Sequence, residues 1–365
     1  MGEPLKIGIV GAGKISGAYL DTLDRLTSVR LTAVTDLDPQ RAQSLAQRGS
    51  AGGAGNGSEV AVVGSVAELV AREDVDAVLN LTIPAAHAEV ALTALGAGKH
   101  VYGEKPLAVD RKEAETVLAA ARAAGLRVAC APDTVLGTGV QSARKAVDDG
   151  LIGRPVAATA FMTTAGHETW HPDPEFYYRP GGGPLLDMGP YYLSALVHLL
   201  GPVVRVTGAS SRPRARRTIG GGPRAGDSFP VEVDTHITGV LEHADGALST
   251  LMMSFDVHAA RLPRIEVHGT EASLSVPDPN GFDGPVEINR GAGWEVVPVG
   301  AGYRDAGRGT GLADLAEALA QGRPHRASAE LAAHVLDVML TLMDAADQGR
   351  ALPVVSTCER PSPVV

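Results

Sequence analysis

Lys6-Ile7-Gly8-Ile9-Val10-Gly11-Ala12-Gly13-Lys14-Ile15-Ser16-Gly17 is the stretch that decides the fold. An apolar, β-branched run reads as a buried strand, a Gly-x-Gly turn follows at once, and residues 15–26 then read as a helix. A dinucleotide pyrophosphate requires this order. Backbone N–H groups at a helix N-terminus face the anion, and no side chain blocks its approach. Gly11 and Gly13 fill the first two positions of G-x-G-x-x-G, with Lys14 and Ile15 in the same turn. The third position is Ser16, small enough for helix–strand packing but a departure from the pattern.

Working outward, strands are predicted at 6–10, 31–35, 60–63, 77–81, 101–103 and 128–131, with helices at 15–26, 39–48, 66–71, 85–97 and 111–124. Strands alternating with helices make a doubly wound α/β domain with a parallel sheet over residues 1–131. Asp110 with Glu113 forms a capping box for the last helix, and Gly125 closes it. Residues 49–58 are so rich in glycine that a flexible loop is expected. Beyond residue 131 the pattern changes. One helix near 141–149 is followed by runs suited to a large, mostly antiparallel sheet: 156–163, 203–209, 231–242, 247–255, 264–268, 272–276, 286–289 and 294–299. Helices are expected at 185–200, 312–321 and 329–348, all within a second, α+β domain spanning 132–365. Residues 212–224, basic and rich in Gly and Pro, read as a solvated loop.

Composition narrows the function. A chain of 365 residues exceeds what one core usually serves, and 44% hydrophobic with 20% charged residues is ordinary for a globular protein. A net charge of −10 disfavours nucleic acid or an anionic membrane as the main partner. The two cysteines, Cys130 and Cys358, have no disulfide or zinc-ligand spacing. His268, His325 and His334 stand apart from carboxylates in sequence, so no metal site is expected. There is no signal-peptide pattern and no apolar run near the ~20 residues of a membrane span, so a cytoplasmic protein is expected.

Three further signals follow the glycine turn. Asp36 closes the second strand, where a carboxylate accepts hydrogen bonds from the ribose 2′- and 3′-hydroxyls and repels a 2′-phosphate. NAD is therefore preferred, while nearby Lys14 keeps NADP possible; a carboxylate that merely caps the next helix is the alternative, with Asp38 its rival for that task. Thr82-Ile83-Pro84-Ala85-Ala86-His87 follows the fourth strand, with Pro84 placed to start a helix. Glu104-Lys105-Pro106 follows the fifth.

Together these motifs resemble the glucose–fructose oxidoreductase, inositol dehydrogenase and rhizopine catabolism (Gfo/Idh/MocA) family. The resemblance extends to Gly181-Gly182-Gly183-Pro184-Leu185-Leu186-Asp187-Met188-Gly189-Pro190-Tyr191, which matches that family's G-G-G-x-x-x-D-x-G-x-H segment. It implies a Rossmann domain followed by the α+β domain, with Lys105 beside the nicotinamide and the reacting carbon. An ammonium there stabilises the alkoxide that develops as a hydride leaves an alcohol. The resemblance further implies that Thr82, Pro84, His87 and Glu104 lie in the cofactor site. Asp187 would orient Lys105 and contact substrate hydroxyls. It also implies that subunits pair through the large sheet, as a homodimer or homotetramer.

The chain departs from the family at two places: the usual histidine is Tyr191, and the usual acid two turns beyond Asp187 is Ser194. A histidine (pKa about 6.5) accepts a proton readily at pH 7 and a tyrosine (about 10) does not. Either Tyr191 relays the proton, helped by nearby positive charge, or Lys105 moves it and Tyr191 binds a substrate hydroxyl. Aromatic residues are scarce at 4%, yet they gather in 167–179. Trp170 and His171 are expected to cover a sugar, whose C–H faces stack on rings; a subunit contact is the alternative. His198 reads as a core residue, His236 is open to either reading, and Pro132-Asp133-Thr134 stands at the crossover between the domains.

The resulting expectation is an NAD(P)-dependent dehydrogenase or reductase acting on a secondary alcohol of a sugar, glycoside or inositol-like cyclic polyol. The alternatives are a non-catalytic NAD-binding sugar sensor of the same fold and a hydride-transferring enzyme for a non-sugar substrate such as a dihydrodiol or an imine.

Overall fold

The predicted strands of the first 131 residues all form: β1 (Leu5–Val10), β2 (Val29–Thr35), β3 (Ala61–Val62), β4 (Ala77–Asn80), β5 (His100–Gly103) and β6 (Val128–Cys130). They pair in parallel in the order β3-β2-β1-β4-β5-β6. The crossovers are α1 (Ser16–Leu23), α2 (Pro39–Ala51), α3 (Val66–Val70), α4 (His87–Gly96) and α5 (Arg111–Ala124). Asp110 and Gly125 cap α5 as expected, but the capping box is only half made, since Glu113 Oε2 accepts from Val109 N at 3.3 Å and not from Asp110 N. Asp110 Oδ1 accepts from Glu113 N at 2.8 Å, and Gly125 ends α5 at φ 66°. The helix α2 runs past Arg48 into the glycine-rich stretch, where Gly49 packs against Leu31 too closely for a side chain. This description comes from a computed structural model and covers residues 3–365.

After α6 (Thr138–Asp148) comes a nine-stranded sheet in the order β16-β15-β14-β13-β7-β12-β11-β8-β17. Its strands are β7 (Pro155–Thr163), β8 (Val203–Ser211), β11 (His236–His243), β12 (Leu248–Ser254), β13 (Ile265–Gly269), β14 (Ser273–Val276), β15 (Val286–Asn289), β16 (Trp294–Val297) and β17 (Leu352–Pro353). Only β7 and β12 pair in parallel. The helices α7 (Pro184–Leu200), α8 (Thr310–Gln321) and α9 (Ala329–Gln348) complete the chain. One face of the sheet is buried: Ile237, Leu241, Leu251 and Met253 point towards it, and α7 packs on β7, β11 and β12. The opposite face carries half-buried Phe161 and Met252 with exposed Val240 and Leu248.

Two expectations need correction. The basic stretch 212–224 is not simply a solvated loop: β9 (Arg216–Thr218) pairs with β10 (Ser228–Pro230), and Arg217 is buried on Glu168 and Asp256. The second concerns the domain division. The chain forms one unit through Gly137 that also takes Tyr303–Ala333, and another from Thr138–Gly302 with His334–Val365. The helix α8, placed by sequence in the second domain, thus belongs with the parallel sheet. Leu312 and Leu315 join the core made by Ile7, Ile9, Tyr19 and Leu79, and Cys130 N donates to Ala327 O at 2.9 Å. Asp133 draws α8 in as well, its Oδ2 accepting from Gly309 N at 2.8 Å and Gly311 N at 3.0 Å. Gly311 permits that approach, because a Cβ there would lie 2.6 Å from the Tyr102 ring.

His334 on α9 provides a test of the second unit. Its Nε2 accepts from Val203 N at 3.0 Å, so the proton sits on Nδ1, 3.0 Å from Ser356 Oγ. Burial pushes its pKa down to about 4. A depressed histidine stabilises the fold fully above the free value of about 6.5, and that stability is lost as pH falls towards about 4. The loss amounts to about 3 kcal/mol across that window. A His334 ring-proton NMR titration should show a midpoint near 4; a midpoint near that of free histidine would refute this assignment.

Candidate active site

In the first unit the glycine turn, Asp36, Thr82 and Lys105 all follow strands of one parallel sheet, and so lie at its carboxyl edge. The strand order reverses between β1 and β4, the crevice where such sheets bind ligands. Gly11 is required by its backbone: φ is +97°, and a Cβ would lie 2.7 Å from Leu81 O. Gly13 has nothing within 4 Å of where a Cβ would stand, leaving open space above the turn. Ser16 is buried and donates its hydroxyl to Gly13 O at 2.7 Å, so the departure at the third motif position ties the turn to its helix. Lys14 and Ile15 are exposed on the same turn.

Asp36 and Asp38 divide two tasks. Asp38 caps α2, accepting from Gln40 N at 2.9 Å. Asp36 Oδ2 accepts from Ala12 N at 2.6 Å and its Oδ1 from Asp38 N at 2.7 Å, which fixes a carboxylate against the glycine turn. The residues thus fit a dinucleotide: an open glycine turn with an anchored acid beside it. Leu37 and Ile83, with their side chains largely in solvent, flank these positions together with Ile15. Sequence reasoning missed Leu37 and Ile83, whose only signal was an apolar residue directly after a strand end.

The 82–87 segment and the E-K-P turn are tied together. Thr82 Oγ1 donates to Asn80 Oδ1 at 2.6 Å, and Asn80 Nδ2 donates to His87 O at 3.1 Å. Pro84 opens a 3-10 turn that leads into α4. His87, expected among the cofactor contacts, is buried with Nδ1 2.6 Å from Pro106 O and Nε2 3.1 Å from Thr82 O. Its ring clamps two turns and presents no nitrogen outward. Glu104 likewise works inside the protein: Oε1 accepts from Tyr19 Oη at 2.7 Å and Oε2 from Lys105 N at 3.0 Å. Lys105, half-buried, leads into a cis bond to Pro106. Asp133 is fully buried, and burial raises its carboxyl pKa.

In the second unit Asp187 stands in the first turn of α7, where a carboxylate is favoured by the helix dipole. Tyr191 and Ser194 follow on the same face, both buried, whereas Tyr192 is enclosed in the core and His198 with it. His236 lies in β11 with Nδ1 3.0 Å from Ser254 Oγ. The resemblance tied Asp187 to Lys105 and substrate hydroxyls and did not pair it with His167, yet His167 Nε2 lies 2.9 Å from Asp187 Oδ2. The His167 ring is packed by Trp170, Tyr177 and Phe255, with centroids at 5.4, 4.2 and 4.5 Å. His171 packs edge-on to Trp170 and Phe176, and both of those rings are more than half exposed.

The loop is held by buried charge. Glu168 Oε1 accepts from Arg217 Nη1 at 2.6 Å, Arg217 Nη2 pairs with Asp256, and Tyr178 Oη bonds both Glu168 and, at 3.0 Å, the His167 N–H. Among the described residues no group of His, Cys, Asp and Glu could hold a metal ion, and no helix is long and apolar enough to cross a membrane.

Comparison with known proteins agrees with this geometry. Residues 5–131 match the profile described as "Oxidoreductase family, NAD-binding Rossmann fold", and residues 140–275 match "GFO/IDH/MocA C-terminal domain". A 1,5-anhydro-D-fructose reductase of Ensifer adhaerens is 30% identical over 73% of this chain and 74% of its own length. A dTDP-3,4-didehydro-2,6-dideoxy-alpha-D-glucose 3-reductase of Streptomyces antibioticus is 31% identical over 73% of this chain and 81% of its own. The crystal structure of an NAD binding oxidoreductase from Klebsiella pneumoniae superposes with a TM-score of 0.81 at 25% identity, covering 97% of this chain and all of that one. The chain belongs to the GFO/IDH/MocA family of NAD-binding oxidoreductases.

Proposed function

We propose that this chain transfers a hydride between NAD(H) and a secondary alcohol carbon of a sugar, glycoside or cyclic polyol. The observation that carries the reading is the shared edge of the parallel sheet. There an open glycine turn and a pinned carboxylate suited to a dinucleotide accompany a lysine whose backbone N–H is fixed by Glu104. The two curated relatives, both named as reductases of sugar derivatives, support the substrate class.

Bound NAD⁺ supplies the hydride acceptor. Gly11, Gly13, Lys14 and Ile15 would hold the pyrophosphate turn, Asp36 the adenosine ribose, and Thr82 and Pro84 the nicotinamide side of the crevice. His87 and Glu104 act by holding the two turns in place. The Lys105 ammonium would stabilise the alkoxide that forms as the carbinol hydrogen leaves. Tyr191 would relay the hydroxyl proton or bind a neighbouring hydroxyl, and Asp187 would orient the substrate hydroxyl. Trp170 and His171 offer ring surface and a polar nitrogen to a sugar. Subunits would pair as a homodimer or homotetramer through the sheet face bearing Val240 and Leu248, whose exposed apolar side chains a second copy would cover.

The deciding experiment follows NADH formation over a panel of inositols, hexoses and glycosides with NAD and NADP. Turnover on at least one polyol or sugar is expected; sugar binding with no turnover on any would leave a sensor in its place. Lys105→Met should cut kcat roughly a hundredfold or more while NADH still binds. Tyr191→Phe should lower kcat with the cofactor Kd unchanged, and full activity would remove this hydroxyl from the mechanism. Because the Asp36 carboxylate repels a 2′-phosphate, Asp36→Asn should shift the NAD-over-NADP preference towards NADP by about tenfold. An unchanged ratio of kcat/KM values would show that the carboxylate does not read the ribose.

A further inference from the structure

The reading of Asp187 as a substrate-orienting carboxylate leaves open what orients Asp187 itself. Its Oδ2 lies 2.9 Å from His167 Nε2. An ionised carboxylate only accepts, so this bond needs a proton on Nε2, and in the neutral ring Nδ1 then carries a lone pair. Nδ1 is buried and has no hydrogen-bond partner. Leaving a buried acceptor unpaired is unfavourable by about 1–3 kcal/mol, and native cores rarely tolerate it without a reason. The ring therefore has a single polar attachment, Asp187.

Everything around the ring restricts it to that bond. Trp170, Tyr177 and Phe255 surround it with ring edges and faces, so it cannot swing away without losing packed aromatic surface. Its main-chain N–H is tied to Tyr178 Oη at 3.0 Å. The next residue, Glu168, is locked to Arg217, whose side chain is 1% exposed and which also pairs with Asp256. A buried ion triad contributes little net stability compared with apolar packing, whereas it does fix one arrangement of the groups it joins. Here the group it fixes is the backbone that carries the imidazole.

We propose that His167 is a positioning residue for the hydride-transfer reaction: its Nε2–H holds the Asp187 carboxylate in one orientation at the start of α7. The structure thereby assigns this chain an imidazole at the loop after β7, while the helix position one turn beyond Asp187 is Tyr191. The inference rests on the proposed dehydrogenase reading, and one of its tests needs no turnover.

Gln and His both present an N–H at the ε2 position, so the pair His167→Gln and His167→Leu separates hydrogen bonding from packing. With the best substrate from the panel, His167→Leu should lose kcat by roughly fiftyfold or more with the cofactor KM unchanged. His167→Gln should stay within about fivefold of the parent. Equal loss in both variants, or none in either, would overturn the proposal, as would a loss seen only as lowered thermal stability. The turnover-independent arm is the tautomer. Two-bond ¹⁵N–¹H spectra of the intact chain should show His167 protonated at Nε2 and bare at Nδ1, with the Nε2–H signal displaced in Asp187→Asn. A proton on Nδ1 alone would sink the proposal even if no substrate is found. An Nε2–H tautomer in a chain that oxidises nothing would instead leave the hydrogen bond standing and fail the dehydrogenase reading.

Discussion

Parallel neighbours in a sheet cannot be joined by a tight turn, so each strand must be re-entered from the same end and left at the other. In the first unit this brings the ends of β1, β2, β4 and β5 to one edge, and with them the glycine turn, Asp36, Thr82 and Lys105. Distant stretches of sequence meet there for topological reasons, before any side chain has made a specific contact. The side chains then fix the edge in detail. Asp36 grips Ala12 N, His87 spans the carbonyls of Thr82 and Pro106, and Glu104 joins Tyr19 to the Lys105 peptide. Several polar groups at this edge therefore hold the frame, which leaves the approach to the turn open.

The second unit reaches a similar result by different means. Its sheet is mostly antiparallel, and the loop after β7 is held in part by Arg217. A guanidinium without solvent needs carboxylates around it, and it finds Glu168 on the loop and Asp256 just past β12. The Tyr178 ring lies beneath it, 5.0 Å from the guanidinium carbon to the ring centre. Charge burial here serves definition: it sets where His167 and Trp170 stand relative to α7.

How much of this was legible in the sequence follows from the range of each interaction. The glycine turn, Asp36 and the Asp110 cap are local patterns, and their spacing carries them. The Asp187–Tyr191 face follows from helical periodicity alone. His167 could be seen as part of an aromatic cluster, but its bond to Asp187 joins two elements twenty residues apart, and no periodicity encodes that. Arg217 misled for a different reason. A run of arginines with glycine and proline ordinarily stays in water, and the residue that is buried is distinguished only by partners elsewhere in the chain. Likewise the apolar face of α8 announces that it must be covered without saying by which core.

That last feature bears on how the protein is made. The parallel-sheet core is unfinished until Leu312 and Leu315 arrive, and the whole of Thr138–Gly302 is translated first. At about 5–20 residues per second the ribosome needs on the order of ten seconds to supply the missing helix. During that interval the nascent nucleotide-binding unit exposes the apolar seat of α8. A gene fragment ending near codon 131 would encode the same incomplete core.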